Sequence, residues 1–346
     1  MKICAPPRRA ARVLFLQFTT QKMQTWIMDN AYYVLLVLCA LMLCALVVCA
    51  LCLHNKAHTA RGGQPSHTLN WPSPTKFHPA AVAAGRRLAK DAVRRGNYGW
   101  PSPGAFDKLN LSTNFRQVAE SVYLTEVGLA CLRPYRGAPL GRRLNLNSKI
   151  TPADVLAAAR KAGCAPLATL RAFATAVGAS RHAVAAAGRG ETAALGPAFA
   201  RDPAGWAAVF AADLSSRENQ LRGRVASAAF EDALAAWAAA QLPPGVSFVR
   251  EGDMGSAETL TPDILFSEPI MLGGQLVRWL DAKNYCYYGS PLTIRSLVAQ
   301  AAKYELAFGP GAFVFRYGVD PAAPALKAAL LDGNGLQHLP LAAAGR

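Results

Sequence analysis

Two apolar segments joined by Gly273-Gly274 constrain this chain more than any other feature in it. The first opens Thr261-Pro262-Asp263-Ile264-Leu265-Phe266, and Met271-Leu272 lead into the glycines. The second runs from Gln275 and ends Trp279-Leu280-Asp281-Ala282-Lys283. A Gly-Gly pair between two such runs is a two-residue hairpin signal. Side chains two apart on a strand share a face, so Asp281 and Lys283 project together, with Val277 and Trp279 beneath them. The apolar run from Val277 to Leu280 marks the strand as central, and charges at the end of a buried strand need partners. Asp263 opens the neighbouring strand and reaches the same spot.

The flanking segments supply an architecture. Pro243-Pro244-Gly245 ends a long amphipathic helix over 213–241, starting near Asp213, with Leu221, Val225, Phe230, Leu234 and Trp237 on its expected buried side. Val246–Arg250 reads as a short strand, Ile294–Phe308 as a helix and Ala312–Tyr317 as a last strand, entered through Gly309-Pro310-Gly311. Helix, three strands, helix, strand is an α/β order with mixed sheet pairing. Upstream, 112–200 reads as helical. Ser112-Thr113-Asn114 caps one helix. Thr151 caps another, with Pro152 at its first position and Asp154 in its first turn. That helix runs to Ala162 and stops at Gly163, and Leu167–Val177 makes the next. Two helices across a tight glycine turn are compatible with a helix-turn-helix, and more often form an ordinary helical hairpin.

Charge is unevenly spread. The formal net charge is +16. Residues 54–150 carry 15 Lys/Arg and 4 acids, whereas 151–346 carry 17 and 16. The basic excess before 150 would attract a polyanion or an anionic membrane surface. Ala31–Leu53 is an uncharged apolar stretch of 23 residues, long enough for a bilayer-spanning helix and too long for an ordinary signal sequence. It reads as a single-pass membrane anchor. Residues 54–105, rich in Pro, Gly, His and Arg, read as a basic linker, with a short helix around Pro79–Arg95. Of the eight cysteines, Cys39, Cys44, Cys49 and Cys52 sit in that apolar run, and Cys4, Cys131, Cys164 and Cys286 are scattered with no CxxC pair, which argues against a structural zinc site and a disulfide framework. The resulting division is a basic tail over 1–30, the apolar span, the linker, a helical region over 106–212, an α/β core over 213–335 and a tail from 336.

Two carboxylates converging at the end of a strand make a hard-oxygen site suited to Mg2+ or Mn2+. Such an ion polarises a phosphoryl oxygen and activates water, and Lys283 would orient that water or stabilise the developing charge. A further acid from the preceding helix is expected: Glu231, or Glu218 one stretch earlier. The bare Pro-Asp…Asp-x-Lys pattern is degenerate, arising by chance in about one chain in ten of this length. Its position on a hairpin after an acid-bearing helix is what lifts it.

Thr261-Pro262-Asp263, the Trp279–Lys283 strand, Gln300 with Tyr304, and Phe308-Gly309-Pro310-Gly311 resemble the TPD-motif family of the PD-(D/E)xK nuclease superfamily. The resemblance covers about 217–320 and, more loosely, 151–180 around Gly163-Cys164-Ala165-Pro166. It implies a restriction-endonuclease-like core and divalent-metal-dependent cleavage of DNA, branched or structured DNA included. By position it implies Asp263, Asp281, Lys283 and Glu231 as the active-site set, with Asp263, Asp281 and Glu231 holding metal. Gln300 and Tyr304 would contact nucleic acid. It also implies a nuclear location and a codanin-like protein partner, and related nucleases often form homodimers. The apolar span is foreign to that family and conflicts with a purely nuclear location. The segment Asn284-Tyr285-Cys286-Tyr287-Tyr288-Gly289 is longer and more aromatic than the family's; its tyrosines are suited to stacking on bases or sugars, but are expected rather to pack as core. The alternative is a catalytically weak nucleic-acid-binding or partner-scaffold module on the same fold.

Overall fold

The computed structural model describes Met42 and residues 67–72, 74, 77–109, 112–135, 149–254 and 260–338. It divides into Met1–Gln64 and Pro65–Arg346, and of the first unit only Met42, a helical and exposed residue, is described. The expected membrane span over 31–53 thus lies, Met42 apart, outside the described residues. Among the described residues no helix is long and apolar enough to cross a membrane.

The second unit is a mixed α/β fold. Six strands make one sheet: β1 (Thr68–Leu69), β2 (Phe248–Arg250), β3 (Ile264–Leu272), β4 (Gln275–Lys283), β5 (Gly311–Phe315) and β6 (Ala329–Asp332). The order is β1-β3-β4-β5-β6, with β2 also pairing to β3. β2 and β4 run antiparallel to β3, while β1–β3, β4–β5 and β5–β6 are parallel. The hairpin falls where the sequence places it. Gly273 and Gly274 both take left-handed backbone, φ 57° and 79°, as a two-residue hairpin turn requires.

The strand ends depart from expectation. The strand expected over Asp263–Phe266 starts at Ile264 and runs nine residues, through to Leu272. Its pairing with β4 shifts register between Leu265 and Ile270, and Pro269, which has no N–H for the ladder, lies inside that shift. Beyond the shift, strict alternation on β4 ends as well. Val277 and Trp279, expected on one face, pack in two different cores. β1 and β6 were not expected. Residue 336 was to open a free tail, yet Leu336 is buried in the sheet's core.

Eight α-helices are described: α1 (Pro79–Arg94), α2 (Thr113–Cys131), α3 (Pro152–Ala162), α4 (Pro166–Ala176), α5 (Arg181–Ala187), α6 (Pro203–Ala211), α7 (Arg217–Gln241) and α8 (Pro291–Phe308). The sheet is sandwiched between α7 and α8. Phe230, Leu234 and Trp237 of α7 pack with Ile264, Leu280 and Val314. On the other face Leu297, Ala301 and Tyr304 of α8 pack with Trp279, Phe313 and Phe315. The remaining helices form two further cores, one around α1 and α2 and one around α3 to α6.

The α3 start is as the sequence spells it. The Thr151 side chain accepts from Asp154 N, the Asp154 carboxylate accepts from Thr151 N at 2.8 Å, and Gly163 closes the helix at φ 62°. The helix after it, α4, is buried along most of its length, leaving mainly Arg171 and Thr175 to Ala176 exposed. Asp213, expected at the head of the long helix, is instead fully buried. It accepts hydrogen bonds from Leu167 N and Ser215 N, both at 2.8 Å, and so ties the start of α4 to the approach to α7. α7 itself begins after Ser216, whose hydroxyl accepts from Asn219 N.

Two expectations about exposure fail. Leu221 and Val225 are 49% and 72% exposed, because the layer covering α7 begins only at Phe230. Periodicity shows which side is apolar; it does not show how far a partner extends. Residues 54–105 are no linker in their described part. Trp71 Nε1 donates to Asp332 O at 2.9 Å, Thr68 pairs with Met271, and Tyr98 is 1% exposed. α1 lays Ala81, Val82, Ala89 and Ala92 against Val118, Ala119 and Val122 of α2. Small side chains permit that approach, and Gly85 is the closest point: a Cβ there would fall on the Ala119 carbonyl oxygen. Gly85→Ala is therefore expected to cost about 1–3 kcal/mol despite its better helix propensity, read as a lower urea midpoint at unchanged m-value. A gain in stability would mean the two helices part easily.

Candidate active site

The hairpin brings its acids to the carboxyl end of β4. Asp281 is 5% exposed. Asp263, just before β3, turns its Oδ2 to accept from Ala282 N at 2.6 Å, which fixes it beside Asp281. Lys283 Nζ donates to both Asp281 oxygens, at 3.0 and 3.1 Å, and to Gln300 Oε1 at 3.0 Å. Gln300, from α8, donates through Nε2 to Asp281 Oδ2 at 2.5 Å and to Tyr304 Oη at 3.0 Å. Tyr304 Oη in turn donates to Thr261 O at 3.0 Å, and Thr261 Oγ1 donates to Glu251 Oε1 at 2.7 Å. One chain of hydrogen bonds thus links β4, α8, the Thr-Pro-Asp segment and the turn after β2.

The electrostatics follow from crowding and burial. Burial first, and then the Asp281 charge, push the Asp263 carboxyl up to about 8, against the pull of the Ala282 N–H. Burial also raises Asp281, and Lys283 opposes this. Glu231 on α7 is raised by burial and then by Glu251, while Arg250 opposes. Tyr304 is pushed up by burial and then by Asp281, so its hydroxyl stays a donor.

The residues expected from sequence divide accordingly. Asp263, Asp281 and Lys283 are brought together. Gln300 joins them directly, bridging the aspartate and the lysine. Tyr304 is 5% exposed, meets Trp279 edge-on at 5.0 Å and accepts from Gln300 Nε2, so it braces Gln300. Glu231 is near enough to be felt electrostatically. Among the described residues no three of His, Cys, Asp and Glu stand close enough to hold a metal ion together. Glu218 is elsewhere, lining a cavity beside Arg189 and Arg217. The aromatic segment after Lys283 is largely core, as expected for it: Tyr287 is 0% and Tyr288 5% exposed. It also straps α2 to the sheet. Cys286 N donates to Ser121 Oγ at 2.8 Å, and Tyr288 Oη to Glu126 Oε1 at 3.1 Å.

Glu251 was missed. It sits in a single turn after a three-residue strand, with no periodicity or spacing to mark it. Only pairing of β2 to β3 brings it to Thr261.

Fold and geometry therefore define an α/β core whose hairpin presents two interacting carboxylates and a lysine at one strand end. A family described as "protein of unknown function, TPD sequence-motif" matches residues 207–326, the stretch that holds all of these groups except those of the helical layer. An uncharacterized protein of Acanthamoeba polyphaga mimivirus is 40% identical over 100 residues, 27% of this chain and 36% of the relative. The chain thus spans about a third of that relative's length, 36%. No solved structure matches the chain.

Proposed function

We propose that the core over 213–335 is a restriction-endonuclease-like nuclease of the PD-(D/E)xK type, hydrolysing phosphodiester bonds of DNA with Mg2+ or Mn2+. The observation that carries this reading is the pairing of Asp263 with Asp281 at the end of β4 while Lys283 Nζ stands 3.0 Å from Asp281. The donor set fits a small hard cation. It is all oxygen, and two buried carboxylates whose affinity for protons is raised are what a divalent charge would neutralise. Mg2+ is commonly held by one or two carboxylates, the rest of its shell being water and substrate phosphate.

Asp263 and Asp281 would hold the cation, which when bound polarises a phosphoryl oxygen and acidifies the attacking water. The Ala282 N–H keeps Asp263 aimed. Lys283 would donate to the attacking water or to a non-bridging phosphate oxygen. Gln300 holds the lysine and the aspartate in register. Hydrolysis joins the water oxygen to phosphorus and breaks the ester bond, and the leaving oxygen takes up a proton. Glu231, partly buried and raised, borders the site from α7 as a further acid.

The close Lys283–Asp281 pair also favours the second reading, a module that binds nucleic acid with little turnover, because the ammonium already satisfies Asp281. One experiment separates them. The full chain is given labelled single-stranded, duplex and branched DNA in Mg2+, Mn2+ or EDTA, beside Asp281→Ala and Lys283→Ala. Cation-dependent cutting is expected, falling about 10²–10³-fold in Lys283→Ala and further in Asp281→Ala. Equal binding by all three proteins without any product would leave the binding module. A nuclear location, a membrane anchor over 31–53, a codanin-like partner and a homodimer stay proposals drawn from the sequence.

A further inference from the structure

Away from the acidic site, the helical layer holds a second concave surface. It lies between the end of α2, α4, α5 and the start of α7, and encloses about 850 Å³. Five arginines line it: Arg133, Arg171, Arg181, Arg189 and Arg217. All five are exposed, and they come from four stretches of chain: the end of α2, α4, α5 with the turn after it, and the start of α7. No acidic residue lines the cleft. Glu191 pairs with Arg189 at 3.0 Å, and among the described residues the other four arginines make no ion pair.

Of the nearby acids, Glu191 pairs with Arg189, and Glu218 lines the adjoining cavity that Arg189 and Arg217 share; the cleft's own lining is basic. Guanidinium groups suit phosphate, whose oxygens they grip in pairs. The cleft also leads somewhere. From Arg217 the helix α7 runs on to a second cleft of about 780 Å³, whose lining includes Trp100, Arg222, Arg224 and Lys283, with Glu120. There the Arg222 guanidinium lies 3.9 Å from the centre of the Trp100 ring, a flat surface held in place by cation–π attraction.

We propose that the five-arginine cleft seats the phosphodiester backbone of a nucleic acid, and that α7 carries this strand toward Lys283. The seat stands on the cleft alone; its link to Lys283 rests on the nuclease reading. Contacts to phosphate carry no sequence information, so binding through these arginines is expected to be independent of sequence.

The test is binding in EDTA, which needs no turnover. The full chain is titrated against a labelled DNA duplex of mixed sequence over a range of salt. Arg171→Glu with Arg181→Glu is compared with Arg171→Lys with Arg181→Lys; both sites are exposed, and the lysine pair controls for folding. The glutamate pair is expected to bind about tenfold or more weakly, with a salt slope lower by about 2, while the lysine pair stays within about threefold of wild type. Unchanged affinity and slope in the glutamate pair overturn the proposal. So does a wild-type chain that binds no DNA. So does a glutamate pair that keeps DNA but loses binding to phosphatidylserine-containing vesicles, which would assign the arginines to a membrane surface. Failure of the nuclease reading shows up separately, as a protein that binds DNA through these arginines and cuts none.

Discussion

Asp263→Asn is expected to abolish turnover and, in the same protein, to raise the stability of the cation-free fold at neutral pH. Loss of activity follows from removing one of two charged oxygen donors. Changes merely next to such donors cost about 10–100-fold, so more than about 100-fold is expected here. The gain in stability follows from the carboxyl's position. Its folded pKa is raised from 3.8 to about 8, so between those values the folded chain holds a proton that the unfolded chain has released. That stabilising contribution is complete below about pH 4 and is lost as pH rises toward 8. The asparagine keeps an oxygen for Ala282 N–H and carries no charge, so its melting temperature should fall less over the same window. Mg2+ should stabilise the wild type more at pH 8 than at pH 5, and the variant little at either. A wild type whose melting temperature ignores both pH and Mg2+ would remove the physical basis of the site.

Trp279→Ala is expected to cost about 3–5 kcal/mol, the largest single loss of stability in the core. Trp279 is fully buried, donates from Nε1 to Gly309 O at 2.9 Å, and meets the rings of Tyr304 and Phe313 at 5.0 and 5.3 Å. Gly311 lies directly against it: a Cβ there would fall on the indole. Trp279→Phe retains most of the filling and loses chiefly the hydrogen bond, about 1 kcal/mol. Urea unfolding followed by circular dichroism measures both. A loss in Trp279→Ala below about 1 kcal/mol would show that α8 collapses onto the space.

What the sequence made legible was local or strictly periodic. The Thr151 cap, the Gly273-Gly274 turn and the span of β4 were readable because their causes lie within a few residues. Glu251 and the strands β1 and β6 were not, because long-range pairing alone defines them. Thr68 becomes a strand only beside Met271. The prolines and glycines of 54–105 read as linker, yet one of those glycines, Gly85, is where α1 lies closest on α2, between alanines that pack there. Charge is legible in sequence only as a sum. The totals place the basic excess before 150, but the convergence of the aspartates at the hairpin and of five arginines, from both sides of that boundary, in the helical cleft is invisible to a sum over residues.

The length of α7 has a consequence of its own. The helix is unbroken from Arg217, in the arginine cleft, to Glu231, beside the paired aspartates. At 1.5 Å per residue that separation is about 21 Å, or roughly six base-pair steps of duplex. If the arginine cleft grips and the hairpin cuts, as proposed, this rigid rod would act as a measuring gauge. Ends and fragments shorter than that length on the gripping side would not occupy both stations at once, which would set a lower size limit on what can be held while it is cut.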